Sequence, residues 1–388
     1  MTQREKYTQA IQIDYRPKLH LYLLNKDETI RDEITSDLIV GGNLHCILQN
    51  GMQRTATITI DNSDLRYTPN PNRLWFGQKF KLYAGVEFAD GTEFMVPQGV
   101  FYSSNPGASY LQSNRLATIN LVDKWAYLDG SLFGKVKGAY YIPKTVDMGS
   151  GPIITKLADA VTYTLQQDDG TGDPVDPITP FFDSNITNVT LPYTLRSNAT
   201  GTYADVMLEL NKMMIGAMGY DQNGRLCVTS DNLNVDHSEQ SIMWRFTEDS
   251  TQLFTLDATS QMTDVYNHVY VVGATVDGDI FKGEAKYTSP QFETNIERVG
   301  DKVLVIEDQT IYSETYAQQR AEYELKKAQE LGYQLSGSSA PQYHWYPGCL
   351  ISVPPMDASK RSRIVRITEY NIPLACTGAM TWTGTTLI

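Results

Sequence analysis

Long apolar runs are missing from this chain. No stretch approaches the roughly 18 consecutive apolar residues that a spanning helix needs. The opening "MTQREKYTQAIQID" lacks the apolar core of a signal peptide, so neither a leader nor a membrane anchor is expected. Cysteine is sparse: Cys46, Cys227, Cys349 and Cys376 stand far apart with no C-x-x-C pair. That spacing speaks against a cysteine metal site and suits reduced thiols of a protein made in a cytosol. Histidine is nearly as rare, with five residues, none set at helical ligand spacing from another histidine or a carboxylate. Zinc chemistry of the H-E-x-x-H type is thereby excluded. His45 and Cys46 are adjacent in a strand pattern and would point to opposite faces, which argues against a nucleophile couple.

Other chemical signatures are absent too. "DMGSGPIITK" places glycines before a helical pattern but lacks the G-K-[ST] ending of a phosphate loop. No G-x-S-x-G elbow occurs. The acidic "QQDDGTGDPVD" departs from the spacing of a calcium loop and reads as a solvated loop. No catalytic residue, cofactor or metal is expected. The 45 acids leave a paired-carboxylate glycan hydrolase open, though no motif favours one. Positive charge is in deficit: 32 Lys and Arg against 45 Asp and Glu give a formal net charge of −13. Sequence-independent grip on nucleic acid needs clustered cations and is not expected, whereas a wall that DNA slides past remains compatible.

What the chain does have is tyrosine and alternation. It carries 24 Tyr among 388 residues, a residue suited to half-buried sheets and to subunit interfaces. From Lys18 to about Tyr127 the hydrophobic period is two. "LHLYLL", "RTATITID", "KFKLYAG" and "LATINLV" each put apolar residues on one face, separated by "GGN", "QNG", "TPNPN" and "ADG". This predicts an all-β domain, a sandwich or small barrel, over residues 1–127.

Residues 128–245 change character and predict a small α+β domain. "GPIITKLADAVTYTL" has Ile153, Leu157, Ala160 and Val161 at helical spacing, with Pro152 in the first turn. In "TYADVMLELNKMMIGAMGYDQNGRLCV", Thr202 and Asp205 suit a capping box, Val206, Leu210, Met213 and Met214 an inward face, and Gly219 a helix end. Residues 246–388 return to period two in "NHVYVVGATV" and "SRIVRITEYNIP". One long helix, 313–331, interrupts them. Ser313 is its expected N-cap, Glu322 and Lys326 an ion pair, and Gly332 its end. Ala317, Ala321, Leu325 and Ala328 form a narrow face for close approach, either to its own barrel or to a neighbouring subunit.

One pattern occurs twice. "NRLWFGQKFKLYAG" and "YHWYPGCLISVPP" each place a Trp and an aromatic (Trp75 and Phe76, Trp345 and Tyr346) before a Gly (Gly77, Gly348) and a strand pattern. A loop and a second strand pattern follow in each case. One β-module used twice, with an α+β insert between, accounts for both. These aromatics and the small helix face are the candidate interface residues.

Taken with "DLRYTPNPNRLWFGQKFKLYAG", "YNHVYVVG" and "ETYAQQRAEYELKKAQELGYQLSG", the order of parts resembles the phage tail baseplate hub family. Hubs of contractile phages such as Mu and of type VI secretion spikes belong to it. The resemblance implies two tail-tube-like β-barrel domains with the α+β domain between them and the long helix in the C-terminal barrel domain. It further implies a homotrimer whose six similar units form a pseudo-sixfold ring with a central channel. Such a ring joins a hexameric tail tube, or tube initiator, to a trimeric central spike. Tape measure protein and other baseplate proteins would be further partners, DNA would pass without specific binding, and the setting would be the virion tail. A receptor-binding or glycan-active component, or the hub of a non-contractile tail tip, stays open as the alternative.

Overall fold

The computed structural model describes residues 6–9, 16–70, 74–111, 114–136, 138, 140–147, 152–196, 200–230, 242–260, 265–276, 278–289, 294–330, 333–356, 362–375 and 378–386. Cys376, Gly332 and the glycines of "DMGSG" lie outside these.

The alternating segments of the first third become β1 (Arg16–Leu24), β2 (Ile30–Ile34), β3 (Ile39–Ile47), β4 (Arg54–Asp61), β5 (Lys79–Glu87), β6 (Glu93–Ser103), β7 (Gly107–Leu111) and β8 (Asn114–Asp123). Their apolar positions point inward as the period requires. Leu21, Ile58, Phe80, Leu82, Ala84 and Ile119 are fully buried, while the threonines of β4 are wetter. In the last third Tyr333–Ser339, Leu350–Val353, Arg363–Pro373 and Met380–Thr386 do the same, whereas Ile242–Arg245 and Leu253–Ser260 are only partly covered.

Strand order answers whether one module is present twice. In the first third the neighbours run β3, β4, β8, β6, β5, β1. In the last third they run Leu253–Ser260, Tyr333–Ser339, Met380–Thr386, Arg363–Pro373, Leu350–Val353, Ile242–Arg245. Matched in this way, the six strands of each set also follow one another in the same chain order. Register agrees residue by residue. Lys79 faces Tyr102, Tyr102 faces Val122, Val122 faces Thr55 and Thr55 faces His45. Leu350 faces Arg366, Arg366 faces Thr385, Thr385 faces Gln334 and Gln334 faces Thr259. The copies differ at their first strand, since β1 runs antiparallel to β5 whereas Ile242–Arg245 runs parallel to Leu350–Val353.

The two copies are not separate barrels. β3 pairs with Arg363–Pro373, so one 14-stranded sheet runs through both. A single hydrophobic cluster joins Leu21, Ile58 and Phe80 to Trp345, Tyr370 and Trp382. Alternation reports which face of a strand is buried, but not where one core ends and another begins, and edge pairing here merges the two. The C-terminal copy also includes Ile242–Arg245, ahead of residue 246.

"YNHVYVVG" does not open the second copy. His268–Val276 belongs to a separate three-stranded sheet with Asp279–Lys286 and Val303–Glu307. This sheet and the helix Glu314–Glu330 form one insertion between the second and third strands of the C-terminal copy, where β3 and β4 are joined by a short turn. The helix therefore packs on the inserted sheet and not on the large one. It can lie close because Gly283 has no side chain: a Cβ there would stand 2.2 Å from the Ala317 carbonyl oxygen. Ser313 caps it as expected, its hydroxyl accepting from the Tyr316 N–H at 3.1 Å.

Between the copies lies a second core, built on the helices Leu157–Leu165 and Tyr203–Lys212. The capping box of Thr202 and Asp205 is formed in both directions, and Val206, Leu210, Met213 and Met214 are buried. Two helix boundaries depart from expectation. Pro152–Ile154 is a strand paired with Thr145–Asp147, so the helix starts only at Leu157. Gly219 lies in the strand Gly216–Tyr220, because Ile215 adopts a left-handed backbone (φ 49°) and ends the helix earlier. The "DQNG" turn then forms with Gly224 at φ 79°.

Candidate assembly surface

The repeated Gly sits at the same structural element in both copies. Gly77 and Gly348 have positive φ, 68° and 88°. Gly77 donates its N–H to the Ser103 carbonyl at 2.8 Å, and Ser103 donates to the Gln78 carbonyl at 2.9 Å. Gly348 donates to Ile367 at 2.8 Å, and Ile367 to Cys349 at 3.0 Å. In each, two residues oppose one and the first is a left-handed glycine, which is a β-bulge that starts the strand and re-aims the chain before it.

The residues before each glycine are re-aimed differently. Trp75 and Phe76 pack on each other with ring centroids 4.7 Å apart and remain 36% and 53% exposed. Tyr346 is 43% exposed, but Trp345 is fully buried, edge-on to Trp382 with centroids 6.2 Å apart. The backbone around Trp345 is held as well, since its carbonyl accepts from the Tyr370 hydroxyl at 2.9 Å and the Gln222 amide at 2.7 Å. Ala317, Ala321, Leu325 and Ala328 are buried within the chain; the first three pack with Val269, Val271 and Ile311 of the insertion. Of the eight candidate residues, Trp75, Phe76 and Tyr346 are thus at the surface.

A buried ionic joint, which no pattern in the sequence marks, docks the middle unit on the first sheet. Lys124 Nζ lies 2.6 Å from both Glu28 Oε1 and Asp176 Oδ1, and 3.0 Å from the Gly224 carbonyl. Asp176 also accepts from the Tyr220 hydroxyl at 2.8 Å. Burial, then the Asp176 charge, pushes the Tyr220 phenol well above its ordinary range. Arg54 donates to the Tyr220 carbonyl, and Gly51 donates to Met218 at 2.9 Å. These contacts hold orientation and offer no open site.

The groups with chemical potential are engaged structurally. Burial pushes the Cys46 and Cys349 thiols up to about 11 and about 12, away from thiolate reactivity. His45 meets Glu369 at 2.9 Å across the junction of the two copies. Among the described residues no group of three His, Cys, Asp or Glu is placed to hold a metal ion, and no helix is long and apolar enough to cross a membrane.

No protein-family model matches the sequence, and no curated protein matches it. Solved structures do match, over nearly the whole chain. A tail protein from Neisseria meningitidis MC58 superposes with a TM-score of 0.63 at 11% identity, covering 96% of this chain and 97% of that one. The 43 kDa tail protein of prophage MuSo2 from Shewanella oneidensis gives 0.59 at 11% identity, covering 95% and 97%. Prophage tail protein gp18 from Listeria monocytogenes EGD-e gives 0.55 at 10% identity, covering 94% of each. The chain has the fold of these phage tail proteins. It also aligns over 99% of its length with 61% of a chain in a Francisella PdpA-VgrG complex, at a TM-score of 0.52 and 11% identity.

Proposed function

We propose that this protein is a structural hub of a phage tail or tail-like particle, with no catalytic role. Three copies form a ring in which each contributes two tube-like units, so that a threefold assembly presents six similar positions. A hexameric tail tube or its initiator stacks on one side, a trimeric central spike docks on the other, and the channel passes DNA and tape measure protein. The middle unit and the insertion face outward to other baseplate proteins. One observation carries this reading: the two sheet copies agree in strand order, register and bulge. A chain that matches itself can build a closed ring with more apparent symmetry than it has subunits. The likeness to tail proteins of nearly equal length supports the same setting.

Mass measurement of the purified protein, alone and with its spike or tube partner, tests this. Trimers with a central channel in electron micrographs are expected. A strictly monomeric species in both conditions overturns the proposal.

A further inference from the structure

The chain contains a joint between its two copies, and among the described strands the complementary halves of a second such joint are left unpaired. Where the copies meet, Asn43–Ile47 of β3 pairs antiparallel with Glu369–Pro373. Leu44, Cys46, Tyr370 and Ile372 are buried on one face, and Asn43, His45, Glu369 and Asn371 stand on the polar face. Following the registers above, His45 corresponds to Thr259. Asn371 corresponds to Gly107, because Asn371 faces Thr381 and Thr381 faces Ser338, while Gly107 faces Thr118 and Thr118 faces Thr59.

The counterpart of the β3 edge is therefore Leu253–Ser260, which ends the sheet and has one neighbour among the described strands. The counterpart of Glu369–Pro373 is Asn105–Ser109, which leads into and includes part of β7, a strand that pairs only with β8 among the described strands. The Leu253–Ser260 edge carries little of the usual protection, and on the β7 edge Pro106 removes a single ladder donor. "LFTLDATS" has a single charge, no Pro and no Lys, and both stretches are exposed at Ala258 and Ala108. Their residue types partly alternate in step with the internal joint, Ser260 at the position of Cys46 and Gly107 at that of Asn371 being the departures. Ala258, Pro106 and Ala108 fall at the positions of Leu44, Tyr370 and Ile372. Asp257, Thr259 and Asn105 fall at those of Asn43, His45 and Glu369.

We infer that the partner of the free Leu253–Ser260 edge is the β7 edge of a second copy of this chain, paired antiparallel with Thr259 opposite Gly107. The inference rests on the ring reading above and specifies how that ring closes. Each chain offers one edge of each kind, so the contact is head-to-tail and repeats until it closes. Pro106 stands where Tyr370 does, so the joint between copies carries one ladder bond fewer than the internal one.

Disulfide trapping tests the register. In the internal joint Leu374 donates to Gly42 and Leu48 to Thr368. Alternation then makes Asn371–His45 a pair without direct backbone bonds, where Cα atoms approach to about 4.5 Å. Gly107 and Thr259 inherit that spacing, and a Cβ added at Gly107 meets nothing within 4 Å. Mild oxidation of the full-length Gly107→Cys/Thr259→Cys variant is expected to give covalent species at two and three times the chain mass. Mixing the two single variants is expected to stop at the dimer. Gly107→Cys/Asp257→Cys, two residues out of register, is expected to remain uncrosslinked. Melting temperatures of the single variants establish that each folds. A trimer that does not crosslink overturns this edge pairing while leaving the ring reading standing. Crosslinking of the out-of-register pair alone overturns the register, and a monomer with no crosslink overturns both.

Discussion

Lys124 Nζ and Asp176 Oδ1 lie 2.6 Å apart, and each side chain is 1% exposed. The pair ties the turn that follows β8 to the middle unit at a place where water cannot compensate a missing charge. Lys124→Met leaves Asp176 buried without its cation and Glu28 with Lys79 alone, at 3.3 Å, and is expected to cost about 3–5 kcal/mol. The double variant Lys124→Met/Asp176→Asn is expected to recover part of that loss. Denaturant midpoints of the three proteins check both statements.

The two bulge glycines make a paired test of backbone strain. Nothing lies within 4 Å of a Cβ built on Gly77, so Gly77→Ala is expected to cost about 1–2 kcal/mol from its left-handed φ alone. Gly348→Ala adds an ordinary contact with Leu48 at 3.4 Å and is expected to cost a similar amount. Asparagine, which tolerates this conformation, is expected to be milder at both positions. A neutral Gly77→Ala melting curve contradicts the assignment.

The helix of the insertion is expected to be sensitive from both sides of its contact. Ala321→Glu places a charge at a position with no exposure, and Gly283→Val pushes against the Ala317 backbone. Each is expected to lower stability by at least about 1–3 kcal/mol, by burial of a charge or by overpacking. Amide exchange across His268–Val276 and Asp279–Lys286 is the direct readout, and the ring contact should survive if the large sheet is intact.

Acidity bears on His20, whose ring nitrogens lie 2.6 Å from Glu33 and 2.9 Å from Glu93. Burial lowers its affinity for a proton, but the hydrogen bonds and charges of Glu93 and Glu33 outweigh it, and the net shift is upward from 6.5. A raised folded-state value means that the folded chain holds the proton more tightly. The stabilisation is complete below pH 6.5 and is lost as pH rises through the higher folded value. Wild type is expected to lose melting temperature over that rise relative to His20→Gln, and parallel curves refute the assignment.

The surface and buried tryptophans should separate by assay. Trp345→Ala empties a fully buried site beside Trp382 and is expected to cost about 3–5 kcal/mol. Trp75→Ala, at a half-exposed site, is expected to leave the melting temperature nearly unchanged and to weaken assembly if this surface meets a partner.

Local order was legible and long-range order was not. Alternation identified the buried faces of β1, β4, β5 and β8, and the Thr202–Asp205 box and the Ser313 cap follow from chemistry within a single turn. The twofold Trp-aromatic-Gly pattern pointed to one module used twice, and it recurs because each glycine starts a bulge whose left-handed backbone demands glycine whatever surrounds it. His268–Val276 alternates like any strand, so its membership of a separate sheet depends on distant partners that periodicity does not report. Trp345 is buried edge-on to Trp382, whereas the matching register position of the first copy holds Ile119, a difference set by strands distant in the chain. Lys124 resembled any other surface lysine until Glu28 and Asp176, far away in the chain, met it.

The pairing of Asn43–Ile47 with Glu369–Pro373 also has a consequence for biosynthesis. The first segment leaves the ribosome long before the second has been translated, and its outer backbone groups then have nothing of their own to bind. Such late, distant pairing slows folding and exposes the nascent chain to wrong partners. Chains stalled shortly before Arg363 should therefore aggregate, whereas those released a few tens of residues later stay dispersed.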